Sequence, residues 1–142
     1  MAVKQLSVFL ENKKGKLSDA VKVLSDAGIN IRAMSIADTQ DFGILRMIVS
    51  DTAKAKELLI NDTIVSDTEV IAVKMDDKEG SLYRVLAVLE KESINVDYAY
   101  AFTAKGNQGA YVVFRVDDVS SAEKVLADKG YTSVSDEDMK QL

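Results

Sequence analysis

Two short stretches carry residues that could hold a ligand. In Glu11-Asn12-Lys13-Lys14-Gly15-Lys16-Leu17 a glycine sits where a strand runs directly into a helix, and Asp76-Asp77-Lys78-Glu79-Gly80-Ser81-Leu82 repeats the arrangement. Glycine lets the backbone come close to a bound molecule, and the N–H groups at a helix start attract a carboxylate. Asn30 and Asn95 open the strand that follows each helix. An amide donates and accepts at once, which suits the ammonium and carboxylate of a zwitterion. A bland reading stands beside this one: the glycines serve only the turn, and the asparagines are turn residues that tolerate positive φ.

Other chemistries are closed by composition. The 142 residues include no His and no Cys. That removes the usual general base at neutral pH, the thiolate nucleophile, the disulfide framework and the common zinc ligands. What remains is paired carboxylates, an activated lysine, or a carboxylate-bound metal. The acidic pairs Asp76/Asp77 and Asp117/Asp118 are adjacent, so on a strand they point to opposite faces and do not converge. The reading is a protein that is not an enzyme, with no metal and no cofactor. Lys and Arg number 18 against 23 Asp and Glu, a net charge of −5 with no basic run. Such a surface repels nucleic acid and anionic membranes. No apolar stretch reaches the ~18–20 residues of a membrane span, and the N-terminus lacks the apolar core of a signal peptide. A cytoplasmic location is expected.

The elements that position these residues are written twice. Lys13–Ile31 and Lys78–Val96 align 65 positions apart, with Lys13/Lys78, Gly15/Gly80, Leu17/Leu82, Val23/Val88, Leu24/Leu89, Ile29/Ile94 and Asn30/Asn95 identical. Phe42–Asp51 then answers Gln108–Asp118, Ala55–Leu59 answers Ala122–Leu126, and Thr63–Asp67 answers Thr132–Asp136. Similar amphipathic helices explain matched Leu and Val; they do not explain Gly and Asn matching in the same order. Duplication does.

Each copy reads strand, helix, strand, strand, helix, strand. In the first, the spacing predicts strands over Gln5–Leu10, Asn30–Ala37, Gly43–Ser50 and Thr63–Ser66, with helices over Lys16–Ala27 and Thr52–Ile60. Gly28 ends the first helix and Thr52 caps the second. In the second copy the strands are Val70–Met75, Asn95–Thr103, Ala110–Val116 and Thr132–Val134. Its helices are Ser81–Glu92, with Leu82, Val85, Leu86 and Leu89 inward, and Ser120–Asp128. The aromatic row Tyr98, Tyr100, Phe102 reads as packing, and Asp136-Glu137-Asp138 as a solvated tail. The fold class is α+β: two ferredoxin-like βαββαβ units, residues 1–68 and 69–142, each an antiparallel sheet with helices on one face. The strand order is 4-1-3-2, which leaves strand two on an edge. Two copies in one chain can pair such edges, and the short join at Asp67–Val70 expects packed units.

At these residues the sequence resembles the ACT domain, whose pattern is polar-x-x-Gly-x-Leu, an amphipathic helix, a small residue, then x-Asn-Ile/Val. The resemblance covers both copies and implies a stand-alone tandem ACT protein, a regulatory sensor of a small molecule, most often an amino acid, bound between paired units. Effector contacts carry over to Asn12, Lys14, Gly15, Leu17 and Asn30, and in copy two to Asp77, Gly80 and Asn95. Lys14 and Glu79 stand where the family has proline. Asp77 puts an acid where copy one has Asn12, so the second site is either degenerate or prefers an amine. The resemblance also implies a homodimer and a metabolic enzyme or regulator as partner. The alternative is an interaction subunit that binds such an enzyme and senses nothing. RNA-recognition domains share the element order, and Ala110–Phe114 imitates part of their signature, but Gly109 and Asn107 occupy the places of its stacking aromatic and its basic residue.

Overall fold

The computed structural model describes residues 2–105 and 109–142, so Asn107 lies outside the described residues. The chain divides into two units, Lys4–Thr68 and Glu69–Lys140. The elements run β1 (Val3–Glu11), α1 (Lys16–Asp26), β2 (Ile31–Asp38), β3 (Phe42–Val49), α2 (Thr52–Leu59), β4 (Ile64–Met75), α3 (Ser81–Lys91), β5 (Tyr98–Thr103), β6 (Ala110–Arg115), α4 (Val119–Asp128), β7 (Thr132–Val134) and α5 (Asp136–Met139).

In the first unit β3 lies between β1 and β2, and β4 neighbours β1 on its other side. In the second unit β7, β4, β6 and β5 follow one another. Both are the 4-1-3-2 order of the ferredoxin-like fold. The β1–β3, β2–β3, β4–β6, β4–β7 and β5–β6 ladders are antiparallel, with Leu6 opposite Met47 and Val8 opposite Leu45 in one unit, and Ile71 opposite Phe114 and Val73 opposite Val112 in the other. These pairs point to the helices. Leu24 of α1 and Leu59 of α2 complete the first core, and Leu89 of α3 and Leu126 of α4 the second. The cores therefore match nearly position for position, as duplication requires.

Several expectations are corrected. The two strands expected either side of Asp67–Val70 are one strand, β4; with no Gly or Pro in the stretch, nothing turns the backbone. Among the described residues β2 and β5 each have a single strand neighbour, β3 and β6, and so an open edge. β5 begins at Tyr98 rather than Asn95, because Asn95 and Asp97 bond to each other first, Nδ2 to Oδ1 at 3.1 Å. The α2 cap is Asp51, whose Oδ1 accepts the Lys54 N–H at 3.1 Å, with Thr52 one residue inside. Asp118 caps α4 in the same way. Leu82 is exposed, as is Leu17 at the equivalent place on α1. The acidic tail is not merely solvated: Ser135 caps α5 and Met139 is fully buried. The aromatic row lies on the sheet face away from the helices, where Phe102 stacks on Tyr111 at 5.2 Å.

Candidate functional site

Gly15 and Gly80 each stand immediately before a helix with left-handed backbone, φ +88 and +82. That conformation costs an L-residue roughly 1–2 kcal/mol, so glycine is required by the turn itself. Because glycine has no side chain, neither α1 nor α3 has a side-chain cap. The N–H groups of the first turn lack intrahelical acceptors; here a backbone carbonyl takes the first of them, that of Lys16 and of Ser81 respectively, and no side chain caps the others. The loop before α1 is held by backbone: Asn12 N–H donates to the Asp41 carbonyl at 2.9 Å, and Lys16 N–H to that of Lys13 at 3.2 Å. Lys13 Nζ pairs with Glu11 at 2.8 Å. This contact, with the Lys16 charge behind it, holds the Glu11 carboxyl below its ordinary range and raises Lys13. Asn12, Lys14, Gly15 and Leu17 are all exposed around the helix start.

The loop before α3 differs. Its ion pair, Lys78 to Asp76, is longer at 3.7 Å. Arg84 folds back over it, donating from Nη2 to Ser81 Oγ at 3.2 Å, with Nη1 only 3.0 Å from where a Cβ on Gly80 would stand. Asp77 and Gly80 are exposed beside that guanidinium.

Asn30 is not beside Gly15 in its own unit. The 11 residues of α1 separate them, about 16 Å along the axis. Asn30 is clipped to Ser50 instead: its N–H donates to Ser50 Oγ and its carbonyl accepts the Ser50 N–H, each at 2.9 Å. Its side chain stays exposed. Asn95 stands likewise at the far end of α3 from Gly80, and its amide is engaged by Asp97. Shallow hollows of about 340 and 400 Å³ lie at the two asparagines. Their linings are Val21, Ser25, Gly28, Ile29, Asn30, Ile31 and Leu86, Glu90, Ser93, Ile94, Asn95, Val96, position for position 65 apart. A deeper hollow, about 380 Å³, opens at the end of β1 between Lys16, Phe42 and the Ile60–Ile64 connection. It was not expected from the repeat, because the repeat does not preserve it.

No group of three or more Asp and Glu gathers as a metal site among the described residues. Asp118 is committed to its cap. No helix among the described residues is long and apolar enough to cross a membrane.

The sequence that builds these two glycine-led helices and duplicated sheets matches a family model, described as an ACT domain pair, over residues 1–142. The chain belongs to that family. The ACT pair is similar to protein BT0572 from Bacteroides thetaiotaomicron, 38% identical, with a TM-score of 0.92 over 100% of this chain and 98% of that one. The ligand-free regulatory subunit of aspartate kinase from Thermus thermophilus follows at 9% identity and a TM-score of 0.65, covering 88% and 91% of the two chains. That from Thermus flavus has 10% identity and a TM-score of 0.62, covering 88% and 90%. Likeness at such identity is likeness of fold. No curated protein matches the ACT pair.

Proposed function

We propose that this ACT domain pair is a non-catalytic regulatory sensor of an amino acid, working as a homodimer. The observation that carries the reading is the start of α1 behind Gly15, where no side chain caps the first-turn N–H groups, with Asn12, Lys14 and Leu17 around it. The ligand's carboxylate takes the helix start, worth ~0.3–1 kcal/mol when exposed and up to ~2 when partly buried. Asn30 supplies a donor and an acceptor. Since α1 separates Asn30 from Gly15 within a unit, the amide comes from a second copy.

The open edge of β2 supports that dimer. Its sequence is close to self-complementary about Ser35. In an antiparallel pair of copies Met34 meets Ile36 of the second copy, Ala33 meets Ala37, and Arg32 meets Asp38. Met34 and Ile36 are exposed on the same face. An eight-residue edge without Pro or Lys is unprotected. The same pairing carries Asn30 of the second copy toward the end of β2, next to Asp41, whose carbonyl holds Asn12. The loop site then has both of its parts. In the second unit Asp77, Gly80 and Asn95 make the weaker site, with Arg84 over the glycine and one Asn95 amide N–H given to Asp97.

Thermal shift against the twenty amino acids tests sensing, with Asn30→Ala expected to weaken the response roughly 10–150-fold at 1.5–3 kcal/mol per lost bond to a charged group. The chain has no cysteine, so Ser35→Cys tests the dimer alone. Opposed residues of an antiparallel pair lie about 4.5–5.5 Å apart, within disulfide reach, and oxidation should give a species of twice 15.5 kDa. A second reading, docking onto a metabolic enzyme without sensing, draws on Leu82 and Tyr83, both exposed on α3. It gains if no amino acid shifts the melting temperature.

A further inference from the structure

Four exposed large apolar side chains, Phe9, Phe42, Ile60 and Ile64, 40–71% accessible, surround one hollow of about 380 Å³ in the first unit. Scattered surface apolar residues need no explanation, but gathered ones mark a binding surface. The volume lies within the range of small-molecule sites. Lys16 and Asp62 line this hollow and also the adjoining one between α1 and α2. Glu11 on the rim is held by Lys13 at 2.8 Å. Neither Lys16 nor Asp62 makes a close ion pair among the described residues, although the Lys16 charge also acts on Glu11, so the wall offers one cation and one anion to a ligand.

The fold does not impose this arrangement. At the equivalent positions of the second unit Phe9 is Lys74, Lys16 is Ser81, Ile60 is Ala127 and Ile64 is Ser133. Both units build the same sheet and cores without it, so these side chains are spared from folding duty.

We infer that this hollow selects the sensed molecule: a free α-amino acid with a large apolar side chain, its carboxylate on Lys16, its ammonium on Asp62 and its side chain among Phe9, Phe42, Ile60 and Ile64. The inference rests on the sensing reading and adds the ligand class to it. A simple apolar carboxylate would face Asp62, and a simple apolar amine would leave Lys16 unpaired. The zwitterion matches both. Lys16 directly follows Gly15, so the hollow adjoins the loop already assigned to the ligand.

Calorimetric titration of the intact chain with leucine, isoleucine and phenylalanine tests it, against glycine, aspartate, N-acetylphenylalanine and phenylalaninamide. The large apolar amino acids should bind, and the blocked derivatives should bind at least tenfold more weakly. N-acetylphenylalanine stands for the interior of a peptide, so equal binding of the blocked forms would overturn the free amino acid in favour of a peptide. Lys16→Gln and Asp62→Asn should each weaken phenylalanine or leucine tenfold or more, and Phe42→Ser likewise. All three positions are exposed, so circular dichroism should be unchanged. Binding that survives Asp62→Asn and Phe42→Ser but falls with Asn30→Ala overturns the hollow while leaving amino-acid sensing in place. Absence of binding by any amino acid removes both.

Discussion

The two glycine loops are the same backbone with different side chains around it. Both turn a strand into a helix through a left-handed glycine, and in both the residue four places on donates to the glycine carbonyl, Asp19 at 2.9 Å and Arg84 at 3.0 Å. Beyond that they diverge. The first loop is flanked by Lys13, Lys14 and Lys16, has an open helix start and adjoins an apolar hollow. The second has Asp77 and Glu79, with Arg84 lying across its own serine. Duplication kept what the turn needs and changed what a ligand would meet. Around these loops the unchanged glycines report on the turn, and the side chains that changed report on what a ligand would meet.

The largest expected effects test the conserved half. Leu24 and Leu89 are equivalent and fully buried, each at the centre of its own core. Leu24→Ala and Leu89→Ala should each destabilise by about 2–5 kcal/mol, the range for such cavities. Urea titration followed by circular dichroism reads this. Costs differing by more than the width of that range would break the equivalence of the cores.

Next come the glycines. Gly15→Val and Gly80→Val should each cost at least the ~1–2 kcal/mol of left-handed backbone. A Cβ at Gly15 meets nothing within 4 Å, so strain acts there without a clash; at Gly80 it meets the movable tip of Arg84. The folding costs should thus be similar, while only Gly15→Val abolishes an amino-acid response. Loss of the response from Gly80→Val would move the site to the second unit.

Legibility followed the same division. Leu24/Leu89, Gly15/Gly80 and the element order were readable because local periodicity and turn chemistry specify them. The α2 cap falls one residue before the expected Thr52, since Asp51 and Thr52 are both good caps and only geometry shows which oxygen reaches the N–H three residues on. Gln5 is a polar residue of an alternating strand, and it is fully buried with its amide on Ser7 Oγ at 3.2 Å. Alternation says which face a residue takes, not whether that face is covered. The pairing of Gly15 with Asn30 could not be judged from spacing, because the helix between them carries them to opposite ends. The hollow was hidden for another reason: Phe9, Phe42, Ile60 and Ile64 are scattered in the chain and meet only after β1, β3 and the α2–β4 connection come together.

A smaller effect tests a position where the repeat conserved a conformation but not its residue. Both α1 and α3 end in a left-handed residue, Gly28 at φ +71 and Ser93 at φ +57, followed by N–H bonds from Ile29 and Ile94 to Leu24 and Leu89, all at 2.9 Å. Ser93→Gly removes a strain of roughly 1–2 kcal/mol against the ~0.5–1 kcal/mol that glycine loses in chain entropy. The expected gain is about 0.5–1 kcal/mol, with Gly28→Ser losing a similar amount. A Ser93→Gly variant no more stable than the parent in thermal unfolding would show that its hydroxyl has a role the repeat does not reveal.

The smallest effect is electrostatic and separates the loops by their ion pairs, 2.8 Å for Lys13–Glu11 and 3.7 Å for Lys78–Asp76. The hydrogen bond and charge of Lys13, with Lys16 behind, lower Glu11, while Glu11 raises Lys13. A lowered carboxylate contributes stability that is present above its unfolded pKa and is lost as pH falls through the lower folded value. A raised ammonium contributes stability that is present below its unfolded pKa and is lost as pH rises through the higher folded value. The pair thus stabilises the loop across the neutral range and fails at both ends, acid first for Glu11 and strongly alkaline for Lys13. Both groups are exposed, so salt should weaken the effect. NMR titration of the Glu11 side chain should find its midpoint below that of an ordinary glutamate. Lys13→Gln should move it back up, and Lys16→Gln should move it by less, because Lys16 acts through charge alone. A midpoint unmoved by Lys13→Gln would mean that the contact does not persist in solution, and the first loop would then be as loosely held as the second.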